Sequence, residues 1–501
     1  MMKRTSALFL MILFLLAITN GCGEKGTKDM VLLPVKEDPT ISFRLWVKAG
    51  SQDDPAGKEG LAALTAALIT QGATQAHSYE EILDMLYPMA AGISSQVDKE
   101  MTVIYGRTHR DNLNSYYAIF KEVVMQPAFR EEDFQRVKTN MINYLEKTLR
   151  YADDEELGKE VLSEFIFQGT PYEHIEEGHV SSLKSITLDD VKAFYRQFYT
   201  RDNVVMGLGG GYSAEFARQV ERDLQQLPAG RPEHPAPPQV KPIQGMEVLI
   251  VEKDANATAI SFGFPISVLR GSRDYYALAI ANSWFGEHRN SSSHLYQVIR
   301  ETRGLNYGDY SYIEHFPHGG SRQFPPPNVA RRQQIFQVWI RPVPNEARLF
   351  AFRAAVRELQ KLVDHGMTPE QFQTTRQFLK NYILHYAPTT MMKLGYWLDD
   401  QFYGIRGHHL DIFRRMMDEL TLEDVNAAIK KYLQYQNMKV VFVTSNARQL
   451  KEMLVNNTPS PISYSTPKPP DVLAEDKEIA SYPLHVKPEN VQILPVEKVF
   501  E

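Results

Sequence analysis

A hydrolytic metal site needs histidine or carboxylate ligands gathered on one face, with a base beside them. None of the 14 histidines in this 501-residue chain begins an H-x-x-E-H or H-E-x-x-H pattern. The nearest approach, His174-Ile175-Glu176-Glu177-Gly178-His179, spaces its histidines five apart with a glycine between them, which does not put both on one helical face. His77-Ser78-Tyr79-Glu80-Glu81 lacks a second histidine and reads as a helix start capped by Ser78. His408 and His409 are adjacent and must point apart. All of these read as surface or packing residues. Cys22 is the single cysteine, so no disulfide can form within the chain.

The elements that would position any site occur twice. Thr187-Leu188-Asp189-Asp190-Val191 returns 234 residues later as Thr421-Leu422-Glu423-Asp424-Val425, and Asn203 before its apolar run returns at Asn437 with the same offset. Glu132-Asp133-Phe134-Gln135 and Phe167-Gln168-Gly169 have partners at Glu370-Gln371-Phe372-Gln373 and Phe402-Tyr403-Gly404. This order points to two homologous domains. Phe43, Leu45 and Val47 alternate with Arg44, Trp46 and Lys48, which predicts a strand with one better-buried face. Ile260 to Pro265 opens the second half similarly. Arg130 to Arg150 has helical spacing, and Thr187 caps a helix from Leu188 to Tyr199. The fold class expected is α+β, two sheet-and-helix domains from an internal duplication. The expected division is residues 32–226, a Pro-rich connector 227–244, residues 245–447, and a Pro-rich extended tail 448–501.

Lys3 and Arg4 precede an apolar run, Ala7 to Ile18, that is short for a bilayer and laid out as a secretory signal. The run ends at Cys22, and the segment resembles a bacterial lipoprotein signal. That implies a signal at 1–22, lipidation of Cys22, a tether at 23–31, and a periplasmic protein held on a membrane, the outer one by the Gly after the cysteine. A net charge of -6 without a basic cluster argues against nucleic acid as a partner.

Trp46-Val47-Lys48-Ala49-Gly50-Ser51 followed by Gly60-Leu61-Ala62-Ala63-Leu64-Thr65-Ala66-Ala67-Leu68 resembles the N-terminal zinc site of the insulinase-like (M16) peptidases. Pro171-Tyr172, the duplicated Thr-Leu-(Asp/Glu)-Asp-Val and Leu295 to Tyr307 extend the resemblance over nearly the whole chain. In that family this helix carries H-x-x-E-H; here Ala63, Ala66 and Ala67 stand at those positions, and alanine offers neither a lone pair nor a base. The third ligand of the family, a glutamate, would fall near Glu146, which alone cannot hold zinc and reads as a solvated helix residue.

The resemblance also implies that Arg300 and Tyr307, in Arg300-Glu301-Thr302-Arg303-Gly304-Leu305-Asn306-Tyr307, contact a peptide substrate, or else that they form only a helix end with Gly304 as cap and Tyr307 in a strand. The function implied is a non-catalytic subunit, without metal or cofactor of its own, paired with a zinc-bearing H-x-x-E-H chain that cuts peptides. The alternatives are a stand-alone peptide-binding or envelope-scaffold lipoprotein, and an active peptidase with unrecognised ligands. The stretch 319–332 departs from the family pattern and reads as a substrate-facing lip, a partner contact or a solvated loop.

Overall fold

The structure, a computed structural model, describes residues 29–317, 320 and 322–501, so Cys22 and the apolar run before it lie outside the described residues. Among the described residues, two sheets organise the chain. The first contains β1 (Met30–Pro34), β2 (Thr40–Val47), β3 (Gly92–Val97), β4 (Thr102–His109) and β5 (Val204–Gly210), in the order β1-β5-β2-β4-β3. The second contains β6 (Met246–Glu252), β7 (Ala257–Ile266), β8 (Asp309–Tyr312), β9 (Gln334–Pro344) and β10 (Met438–Thr444), in the matching order β6-β10-β7-β9-β8, with β11 (Val491–Pro495) added outside β6. β1 runs parallel to β5 as β6 does to β10, and the other matched neighbours are antiparallel. The duplication is therefore a duplication of whole sheets with their helices, and the fold is α+β as expected.

The matched caps agree in detail. Thr187 Oγ1 accepts from the Asp190 N–H at 3.2 Å while the Thr187 N–H donates to the Asp190 carboxylate at 2.8 Å; the same pair of bonds at Thr421 and Asp424 measures 3.2 and 2.9 Å. The largest change in spacing between the halves falls at one place. Thr40 and Ala257 open equivalent strands 217 residues apart, whereas Thr187 and Thr421 are 234 apart. The step arises because residues 313–333 join β8 to β9 where only residues 98–101 join β3 to β4.

Strand β2 does not have one better-buried face: every residue after Thr40 is buried. Phe43, Leu45 and Val47 belong to the main core of the first half. The opposite face lies against the helix Thr390–Tyr403 of the second half, where Arg44 Nε donates to the Met391 carbonyl at 3.0 Å and the Trp46 ring sits 6.0 Å from Phe402. In return the helix Asp154–Phe167 of the first half crosses β7, β9 and β10 of the second sheet. Lys159 Nζ stands 3.8 Å from the Trp339 ring centre there, and Lys439 Nζ 3.9 Å from that of Phe165. These two helices are counterparts in the duplication, so each half lends the same element to cover the other's sheet.

Helix Glu131–Asn143 continues through a wider π-turn at Tyr144–Leu149, in keeping with the predicted span. The connector 227–244 has no regular structure and lies on the first half, where His234 bonds Asp53 at 2.8 Å and Asn203 at 3.2 Å. The tail departs from the extended strip expected. Pro470–Ala480 is a helix whose proline occupies the first turn, where the missing N–H is not needed, and β11 pairs in parallel with β6. The chain then returns to the first half: the Phe500 carbonyl accepts from Val180 N–H at 2.9 Å, and that of Val499 from Arg150 Nε at 2.7 Å. Prolines at turn starts and strand ends permit this path without breaking either element. No helix among the described residues is long and apolar enough to cross a membrane.

Candidate functional site

The helix Leu61–Gln71 is where the altered chemistry lies. Gly60 precedes it with φ 95°, and the buried Asp54 carboxylate accepts from the N–H groups of Gly60 and Ala62, both at 2.7 Å, satisfying the helix start. Burial pushes the Asp54 carboxyl up despite those two bonds. Along the helix Ala66 is fully buried and Ala63 and Ala67 are half-buried. The hydroxyl of Thr70 contacts Ser95 on the rim strand β3 at 3.2 Å, so the alanine helix lies beside the free edge of the first sheet. Glu146, in the π-turn of the neighbouring helix, turns to Lys184 at 3.4 Å on the surface. Among the described residues no group of three or more His, Cys, Asp or Glu side chains is placed to hold a metal.

The histidines of the near-motifs are engaged elsewhere. His174 and His179 do come close, with ring centres 6.5 Å apart, but through a turn opened by Gly178 at φ 77° rather than along a helix. His174 Nδ1 is bonded to the Ile175 carbonyl at 2.8 Å and burial drives its pKa down to about 4; His179 bonds Glu164 at 3.1 Å, which raises it against its burial. His77 pairs with Glu122 at 3.0 Å beside the Ser78 cap. His408 stacks on Trp397 at 4.0 Å, and His409 is buried against Tyr276.

The Arg300–Tyr307 segment is held from below. Arg300 lies in a π-turn, Tyr296–Glu301, and Gly304 follows at φ 69°, its N–H donating to the Arg300 carbonyl at 2.7 Å. A side chain is strained at that φ, which explains the glycine. The buried Arg303 bonds Asp476 and Glu475 of the tail helix, both at 2.8 Å, and Asn306 donates to Asp309 at 2.8 Å and to the Arg341 carbonyl at 3.1 Å. That fixed turn leaves Tyr307 outside any strand and 77% exposed, so the strand position is not adopted. Arg300 has its head 36% exposed near Glu301 and a buried Nε without a partner among the described residues. No hydrogen bond among the described residues joins Arg300 to Tyr307, or either of them to the alanine helix.

Residues 326–331 are neither lip nor solvated loop: all are buried between the halves. Asn328, at φ 66°, accepts from Arg44 Nη1 at 2.6 Å and donates to the Gly395 carbonyl at 3.0 Å and to Asp399 at 3.1 Å. Arg331 forks onto Asp98 at 2.6 and 3.1 Å and reaches Glu176 at 2.9 Å. Burial raises the Asp399 carboxyl to about 6, while Lys99 and Arg331 hold Glu176 below its usual value against burial. The sequence offered no sign of this contact, because its partners lie 60 to more than 200 residues away.

With this geometry in view, comparisons with known proteins are decisive. Residues 30–175 match the model of the insulinase family, peptidase family M16, and residues 185–379 match the model of the peptidase M16 inactive domain. The chain belongs to the M16 family. It is 22% identical over 295 residues to an uncharacterized zinc protease, YmxG, of Bacillus subtilis, covering 58% of this chain and 69% of that one. It is 20% identical over 423 residues to a Helicobacter pylori protein named a non-peptidase homolog, covering 82% and 90%. A crystal structure of a peptidase M16 inactive domain from Pseudomonas fluorescens superposes with a TM-score of 0.71 at 23% identity, over 84% of this chain and 97% of that one. With alanine at the three M16 motif positions, the chain is a non-catalytic M16 member.

Proposed function

We propose that this chain is the non-catalytic subunit of a two-chain M16 peptidase. The partner carries H-x-x-E-H, binds zinc and activates water. This chain contributes no metal; its Arg300 guanidinium holds a peptide carbonyl, and the oxyanion that forms from it, while the Tyr307 hydroxyl donates a second hydrogen bond. The observation that carries this reading is the exposure of Tyr307: a bonded turn holds a large aromatic ring out in solvent, a few residues along the chain from Arg300, whose Nε has no partner among the described residues. Lipidated Cys22 tethers the pair at the periplasmic side of the outer membrane.

The test is isolation of the tagged chain from its native membrane, with co-purifying proteins, zinc and peptide cleavage measured on one eluate. The expected result is an H-x-x-E-H chain, zinc at one per pair, and chelator-sensitive cleavage that falls on the order of 100-fold in Arg300→Ala, the usual loss of one oxyanion donor. Cys22→Ser is expected to release the chain from the membrane. A chain recovered alone, metal-free and inert overturns the subunit reading and favours the stand-alone peptide-binding role.

A further inference from the structure

The alanine helix is framed by β3 and by the helix Glu131–Asn143, and the duplication builds the same frame in the second half from the helix Arg273–Gly286, β8 and the helix Pro369–Tyr382. In the second half the frame borders a partly open cavity of about 60 Å³, room for roughly four water-sized groups. Its walls are Tyr275, Tyr312, Phe316 and Tyr386, and the single carboxyl group in it without a charged partner among the described residues is Glu287. The other carboxylate of the wall, Glu314, is already held by the Arg270 fork at 2.8 and 3.0 Å.

The remaining polar groups add acceptors rather than positive charge. His288 bonds the Arg322 carbonyl through Nε2 at 2.8 Å, so it carries its proton there, and Nδ1 accepts from the Tyr312 hydroxyl at 2.5 Å. Burial holds His288 neutral, with a pKa of about 4. Tyr312 thus spends its proton on His288 and keeps its oxygen lone pairs. Ser311 spends its own on Asn282 at 2.8 Å. Burial raises the hydroxyls of Tyr312 and Tyr386, and the charge of Glu287 adds to it; both rings line the cavity with Glu287. Desolvation pushes the Glu287 carboxyl itself up to about 7.

We propose that this cavity is a binding site for a small ammonium group, in which Glu287 supplies the opposite charge and the rings of Tyr275, Tyr312, Phe316 and Tyr386 supply cation–π contacts. The shared chemistry is a primary or methylated ammonium, whether that of a free alkylamine or of the end of a lysine side chain.

The experiment titrates the full chain with methylammonium chloride against potassium chloride at equal ionic strength, following the ligand methyl resonance by NMR. It is repeated with potassium acetate, and with a lysine blocked at both backbone ends as competitor. Saturable binding of methylammonium is expected, without saturable binding of acetate, and at least tenfold weaker in Glu287→Gln, which keeps shape and removes charge. Ala279→Leu, which fills the cavity with apolar atoms, is expected to weaken it equally and decides the matter if Glu287→Gln fails the melting-curve check for folding. Competition by blocked lysine identifies a side-chain source, and its absence a free amine. No saturable methylammonium binding, or binding unchanged in the folded variants, overturns the proposal.

Discussion

Arg331 shows how a single side chain decides whether the inserted segment is a loop or a fastener. Its guanidinium is buried, and it neutralises Asp98 and Glu176, two carboxylates of the other half. Removing one member of such a cluster strands the other charges in a poorly solvating interior, at a cost of about 3–5 kcal/mol. Arg331→Ala is therefore expected to lower the unfolding free energy by that amount in denaturant titrations, whereas Arg322→Ala, at an exposed position of the same segment, is expected to change it by no more than about 0.5 kcal/mol. Residue-scale reading of the sequence reaches what depends on residue type alone. Alanine at 63, 66 and 67 excludes the family's metal chemistry whatever the fold. It failed for Arg331 and Asn328, whose roles depend on which distant carboxylates and carbonyls the fold brings to them.

At the scale of elements, local rules were legible wherever a short-range bond sets the boundary. Ser78 and Thr187 were readable as caps because serine and threonine meet the third helical N–H from a position fixed by the backbone, and Thr421 repeats the Thr187 box. Since the two threonine boxes have nearly identical geometry, Thr187→Ala and Thr421→Ala are each expected to cost about 1 kcal/mol, and the double variant the sum, as measured by chemical denaturation. The tail departs from expectation because a count of prolines is blind to where each proline sits in its element. Pro470 in a first helical turn and Pro495 at a strand end are places where the absent N–H and fixed φ do no harm. The second face of β2 was hidden for another reason: Arg44 and Trp46 look like solvent-facing alternates until the helix Thr390–Tyr403 arrives to cover them.

For the molecule as a whole, the reciprocal cover of the two sheets makes the halves one thermodynamic unit. Expressed separately, residues 29–244 and 245–501 would each expose a sheet face carrying residues such as Trp46 or Trp339, both buried in the full chain. The expected outcome is that each half alone precipitates or melts without a cooperative transition, while the full chain gives a single calorimetric peak with equal van't Hoff and calorimetric enthalpies. Two independent peaks in the full chain would contradict this. Such coupling also separates the fate of the scaffold from that of the chemistry, because substitutions at Ala63 or Ala67 leave the exchanged helices untouched.

The exchange has a temporal side. The last strand of the first sheet ends at Gly210, yet the helix that covers its outer face begins at Thr390. At ordinary synthesis rates of about 5–20 residues per second, that interval lasts roughly 10–40 s. Throughout it the newborn first half lacks the cover for Trp46, Val103 and Val205. The protein is consequently at its most aggregation-prone while half made, and a holdase that shields sheet faces during this window is expected to govern its yield more than the stability of the finished molecule does.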